Sequence, residues 1–298
     1  MGFIRSIWND FLYSMRVSNV VTRLVVINFA IFLVALVLYA LALILGNEAA
    51  FERAILWFCV PASLNRLLWQ LWSPITYMFL HIHPFHLIGN LIFLYMFGTV
   101  ISDLIGPRRV IPLYLVGGLA GALFFMLSAQ LLPGTGEYAL GASGAVMALA
   151  GASVFLAPEY RVGLYFLGEV KLKYIVIFIL VLDLVGIAGQ YNSGGHAAHI
   201  GGFLIGTWFI WAFRRGHDWM EPIQRGLNRL LDWFSGKSAN LQRTTRFSEA
   251  AKRKEEKKAE ELSFQERLDN ILDKIKASGL ESLTPEEKEF LYNASKKG

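Results

Sequence analysis

Apolar residues in this chain come in long runs rather than in the two-residue alternation of strands, and the runs end by residue 214. Six of them are long enough, or nearly so, to predict membrane-embedded helices: 24–45, 85–105, 110–132, about 142–156, 174–189 and 197–213. A run of roughly 20 apolar residues is what the hydrocarbon core of a bilayer demands of one helix. The fourth run is short and is followed by Pro158, so it reads as a helix recessed inside a bundle. The first run lacks a small-residue cleavage pattern after it and reads as a retained span rather than a cleavable signal. The long connection 46–73 carries "AILWFCVPASLNRLLWQLWSP", whose three tryptophans suit an interfacial loop or a short in-plane helix.

The pattern changes after the sixth run. Residues 218–235 space leucines and tryptophans as an amphipathic juxtamembrane helix would. A polar, charged stretch to residue 262 contains "KRKEEKKAEE" and reads as a linker or solvated helix. Beyond it, Leu268, Ile271, Leu272 and Ile275 share one helical face that stops at Gly279, and Thr284, Pro285 and Glu287 form a capped start for a second helix. The expected fold is therefore an all-α polytopic membrane protein, a six-transmembrane-helix bundle with a small helical cytoplasmic tail. Its expected divisions are 1–215 (membrane domain), 216–262 (juxtamembrane helix and linker) and 263–298 (helical hairpin).

Composition agrees with that picture. The 298 residues are 55% hydrophobic and 17% charged, with a mean hydropathy of +0.45, which is too apolar for a soluble globular chain. The net charge of +5 does not call for nucleic acid, because much of it lies near the ends of membrane segments, where basic residues set topology. Arg23, Arg108, Arg109, Arg161, Lys171, Lys173, Arg214 and Arg215 all fall on one side, together with Arg5 and Arg16, whereas Arg53 and Arg66 alone fall on the other. The positive-inside rule then places both termini in the cytoplasm. The single cysteine, Cys59, excludes an internal disulfide framework.

Orientation gives each polar residue a depth. His81, His83, His86 and Asn90 lie at the outer end of the second span, Ser143 at the outer start of the fourth, and His196 and His199 at the outer start of the sixth. His86 and Asn90 are four apart and share a helix face. Gly144, Ala148 and Ala152 form one small-residue stripe, and Ala198, Gly202 and Gly206 another, so the fourth and sixth spans are predicted to pack along them. Ser143 and His199 flank those stripes at matching depth, an arrangement that suits a serine nucleophile activated by a histidine base. Ser153 lies about 15 Å deeper with no histidine at its level and reads as packing. The Ser143 N–H at a helix start, reached through the flexible "LGAS" approach with Gly141, and donors on the His86/Asn90 face would serve a developing oxyanion.

Two other chemistries stay open on the residues alone. His81, His86, His196 and His199 could form a four-imidazole metal site, although Asp103 and Asp183 are assigned to depths or sides away from them. A transporter would want an ionisable group near the midplane, for which Asp183 is the candidate, but no repeat is visible.

The motifs resemble those of the rhomboid intramembrane serine proteases. "TYMFLHIHPFHLIGNLIFLYMFG", "GASGAVMAL" and "AHIGGFLIG" follow, in order, that family's H-x₄-H-x₃-N, G-x-S-G and A-H-x-x-G patterns, within a likeness covering roughly residues 20–215. The resemblance implies hydrolysis of a peptide bond in or near a substrate's transmembrane helix by a Ser–His dyad, without cofactor or metal. It implies Ser143 as nucleophile, His199 as base, His86, Asn90 and the Ser143 N–H as oxyanion stabilisers, and His81, Gly141 and Gly144 as supporting residues. No acidic third member is expected. Met147 stands where the family often has a tyrosine against the catalytic histidine, and Trp72-Ser73 where it often has Trp-Arg. The implied partners are transmembrane protein substrates and the lipid bilayer, with the tail free to self-associate or bind a protein. The implied setting is a bacterial inner membrane, with the active site toward its outer side.

Overall fold

The structure, a computed structural model, describes residues 19–164, 168–234 and 269–276, with single positions beyond. The chain divides into two compact units, 1–226 and 227–298. In the first unit the principal helices are α1 (Val20–Ile44), α2 (Glu48–Leu56), α3 (Pro84–Ile105), α4 (Val110–Leu131), α5 (Ser143–Leu156), α6 (Leu172–Ala188) and α7 (Ser193–Phe213). An eighth, α8 (Met220–Phe234), runs across the division between the units. Two antiparallel pairs complete it: β1 (Val60–Pro61) with β2 (Tyr138–Ala139), and β3 (Arg161–Leu164) with β4 (Gly168–Lys171).

Each predicted span coincides with a helix. Three, Val20–Ile44, Pro84–Ile105 and Pro107–Leu131, are long and apolar enough among the described residues to cross a membrane. Helix α5, with 14 residues, rises only about 21 Å, short of a hydrocarbon core. Every residue from Gly144 to Ser153 in it is buried, so it is a recessed central helix. Around it, α1 and α6 present bare apolar faces, among them Val34, Val37, Phe178 and Val181, which suit lipid rather than water. The predicted amphipathic helix at 218–235 is α8, with Met220 buried and Leu230, Leu231 and Trp233 exposed. In the second unit, 269–276 is helical with Ile271 buried. The linker 236–262, Arg5, Arg16, and the Pro285 and Glu287 of the second tail helix lie outside the described residues.

The connection 46–73 forms α2 and a short helical turn, Leu64–Leu67, and it is anchored rather than loose. The Trp72 indole N–H donates to the Trp57 carbonyl at 2.8 Å and the two rings stack. Pairing of Val60 with Ala139 ties this connection to the strand that leads into Ser143. Ser73, in place of an arginine, is buried, while Arg66 bonds the Tyr138 hydroxyl and faces Glu137. The β3–β4 hairpin was not predicted; it is clamped by Glu159, which bonds both Lys171 and Lys173.

Packing at the centre is backbone on backbone. A Cβ on Gly202 would come within 2.0 Å of the Gly144 carbonyl oxygen, and one on Gly206 within 2.0 Å of that of Ala148. The predicted stripes therefore meet as expected, and only glycine fits at 202 and 206. At the far end of α5, the Arg214 guanidinium donates to the Leu156 carbonyl at 3.1 Å. Two buried tyrosine hydroxyls are served by backbone: Tyr77 donates to the Gly118 carbonyl at 2.5 Å, and Tyr114 to that of Met78 at 2.8 Å. Gly202→Ala should cost at least about 1–3 kcal/mol, because the clash is with backbone that cannot swing away. Gly226→Ala, where a Cβ meets nothing, should be neutral or slightly stabilising. Thermal unfolding in detergent compares the two, and equal midpoints would contradict the packing.

Candidate active site

Ser143 is the first residue of α5, so its N–H has no intrahelical acceptor. The chain reaches it through Gly141 at φ +121°, a conformation that side-chain-bearing residues rarely adopt. A Cβ there would lie 2.6 Å from His86 Cε1 and 3.0 Å from its Nε2. Glycine thus does two things at this position: it permits the turn and lets the His86 ring close over the backbone just before the serine. The turn is pinned by the Gly141 N–H, which donates to the Tyr77 carbonyl at 2.9 Å.

His81 fastens the same turn to α3. Asn90 Nδ2 donates to His81 Nε2 at 3.1 Å and to the His86 carbonyl at 3.0 Å, and the Ala142 N–H points at His81 Nε2 from 3.4 Å. An amide nitrogen can only donate, so His81 Nε2 is the acceptor and its proton belongs on Nδ1. Burial, reinforced by the neighbouring His86, pushes the His81 imidazole down to about 4, which keeps it neutral at physiological pH. Both amide hydrogens of Asn90 are engaged in these bonds, so donating to an oxyanion requires Asn90 to exchange one of them.

A cavity of about 210 Å³ opens between the helices, lined by His86 and Asn90 of α3, Ser143 and Met147 of α5, Ile179 of α6 and His199 of α7. Residues far apart in sequence are thereby brought to one small apolar space. Gly144 does not line it; it faces Gly121 and the Ala198 carbonyl at the helix crossing. Ser153 is buried away from it and donates to the Phe97 carbonyl at 3.2 Å, a packing role as expected.

Asp183 corrects the reading of the sequence. It was assigned to the wrong depth, yet its Oδ1 lies 2.7 Å from His199 Nδ1 and 2.8 Å from His196 Nδ1. Helix α6 ends only five residues after Asp183 and α7 begins six before His199, so at 1.5 Å per residue both sit about 8 Å below the shared turn. That counting was available in the sequence, but it depends on helix ends, and the polar "SGGH" reads as a loop although it opens α7. The four histidines separate into two pairs, His81 with His86 and His196 with His199, at ring-centroid distances of 5.2 and 5.9 Å. Among the described residues, the group compact enough to hold a metal ion is Asp183, His196 and His199, not the four imidazoles.

A family described as "Rhomboid domain" matches residues 68–216, half of the chain. The chain belongs to the rhomboid family. Relatives of this rhomboid include the RHOMBOID-like protein 12, mitochondrial, of Arabidopsis thaliana, 31% identical over 72% of the chain and 64% of the relative. The Presenilin-associated rhomboid-like protein A, mitochondrial, of Danio rerio is 30% identical over 59% and 46%. Rhomboid protein 1, mitochondrial, of Saccharomyces cerevisiae is 30% identical over 54% and 47%. This rhomboid thus spans between about half and two-thirds of the length of these relatives. Its tail, 252–297, matches a second family, one of unknown function (DUF6576).

The His81 geometry gives a pH dependence. Its folded value lies below the ordinary 6.5, so its contribution to stability is complete above that pH and is lost as pH falls toward about 4. The thermal midpoint should fall over that window, and His81→Gln should flatten the fall while lowering the midpoint at pH 7. Parallel pH curves for the two proteins would contradict the assignment.

Proposed function

We propose that this rhomboid is an intramembrane serine endopeptidase that cuts a peptide bond in or near a substrate's transmembrane helix. The observation that supports it best is the shared lining of one small, mostly apolar cavity by Ser143 and His199. Ser143 Oγ attacks the scissile carbonyl carbon while its proton passes to His199 Nε2, the ring nitrogen left over once Nδ1 faces Asp183. The oxyanion that forms is held by the Ser143 N–H and by the His86 ring over the Gly141 turn, with Asn90 fixing His86 and joining by exchange. The proton then passes to the amine leaving group, and water releases the acyl chain from Ser143. Met147, one turn below the serine, supports the site by packing in place of a ring.

A substrate helix must unwind locally to present its carbonyl, because a helical one is already bonded and shielded. Small or helix-breaking residues near the cut lower that cost. In our reading α1, α3, α4, α5, α6 and α7 are the six spans of a membrane domain covering 1–215, and both termini are cytoplasmic. The site then faces the outer side of a bacterial inner membrane. The basic residues at the α3–α4 turn, around the β3–β4 hairpin and after α7 support that orientation. The mitochondrial names of the relatives mark that organelle as the competing setting. We assign 216–262 to a juxtamembrane segment and 263–298 to a tail that self-associates or binds a protein.

Ser143→Ala in reconstituted vesicles should abolish cleavage of a transmembrane test substrate while leaving the thermal midpoint within a few degrees. Undiminished turnover by the folded variant would refute the serine mechanism. Ser153→Ala, by contrast, should leave turnover within about threefold and lower stability by about 1 kcal/mol for its lost buried hydrogen bond.

A further inference from the structure

Asp183 is a buried carboxylate that a two-residue mechanism leaves without a task. It is 2% exposed, and burying a charge in a membrane domain is costly unless something uses it. Its Oδ1 accepts from two imidazoles at once, His196 and His199, while Oδ2 has no partner. The seat is shaped on both helices. On α6, Gly186 follows Asp183 by three residues, and a Cβ there would meet His196 Nε2 at 2.1 Å, so the His196 ring lies in the notch that this glycine leaves. On α7, His196 and His199 are also three apart and share a face, with their rings at 85° to one another. The carboxylate can therefore meet both Nδ1 atoms from a single point.

We propose that Asp183 is a positioning residue for His199, which makes this rhomboid's machinery a triad rather than a dyad. An ionised carboxylate oxygen can only accept, so it holds the His199 proton on Nδ1 and keeps the Nε2 lone pair free for the cavity. When Nε2 takes the proton of Ser143 Oγ, both ring nitrogens carry hydrogen, and the positive charge forms 2.7 Å from an anion already in place. No proton leaves Nδ1. Asp183 stays ionised throughout, as the acidic member of a serine-protease triad does. His196 makes the second bond to the same oxygen, which adds a second restraint on the carboxylate's rotamer. Met147 offers no hydroxyl or ring to orient the base from α5, and α6 supplies the orientation instead.

This inference rests on the Ser143–His199 reading, and the experiment separates the two. Full-length protein in vesicles is assayed as wild type, Ser143→Ala and Asp183→Asn, with kcat and KM determined for a transmembrane test substrate. Asparagine keeps the shape and one acceptor but can present an N–H to Nδ1 and favour the wrong tautomer. The expected result for Asp183→Asn is a kcat lower by about 10²–10⁴-fold, the order seen when a triad carboxylate is neutralised, with KM within about threefold. Full kcat in Asp183→Asn beside an inactive Ser143→Ala would overturn the role of Asp183 alone. Cleavage by Ser143→Ala would overturn the serine reading beneath it. A wild-type activity that chelators remove, and that zinc restores, would assign Asp183, His196 and His199 to a metal and overturn the proposal. Should Asp183→Asn not fold, nitrogen NMR of ¹⁵N-histidine-labelled wild type reads the tautomer directly: a proton on His199 Nδ1 supports the triad, and one on Nε2 overturns it.

Discussion

Everything in the membrane domain depends on how closely α5 and α7 approach. Their backbones touch because Gly144 and Ala148 face Gly202 and Gly206, with room for no added carbon on the α7 side. In a bilayer, apolar side chains gain little by leaving lipid for protein, so contact of this kind and the dispersion that comes with it must hold helices together. The contact also fixes a register. With Gly144 set against the Ala198 carbonyl, the residues beside them in sequence, Ser143 and His199, have no freedom to drift apart along the helix axes. One steric constraint thus holds the fold and aligns the chemistry.

The polar residues around the cavity follow the same economy. His81, Asn90 and His86 form a connected set that joins the start of α3 to the turn before Ser143. Gly141 is the joint of that set, since any side chain there would displace the His86 ring. The connection 46–73, fastened by the Trp57–Trp72 stack and the Val60–Ala139 pairing, braces the strand that enters the site. Arg66, from the same connection, reaches the Tyr138 hydroxyl on the strand that leads to Ser143.

Much of this was legible in the sequence because its causes are local or periodic. Apolar runs mark the helices, four-residue spacing of small residues marks the crossing of α5 and α7, and a proline after a short run marks α5 as recessed. Ser143, His199, His86 and Asn90 could be gathered from their depth and helix faces, and Met147 from the motif resemblance. Asp183 could not, because its depth depends on where α6 ends and α7 begins. A shift of four residues in the start of α7, from the predicted 197 to Ser193, moves His199 by more than a turn. The β3–β4 hairpin escaped notice for a different reason: its cross-strand pairs and the Glu159 clamp become visible only once the chain has turned back on itself.

The central claim is that Ser143 is a nucleophile made reactive by His199. Labelling the folded protein with a small fluorophosphonate and locating the adduct by peptide mass spectrometry tests it without any substrate. The account predicts a single phosphonylated serine, Ser143, with labelling lost in His199→Gln. An adduct on another serine, or undiminished labelling of Ser143 without His199, would contradict it.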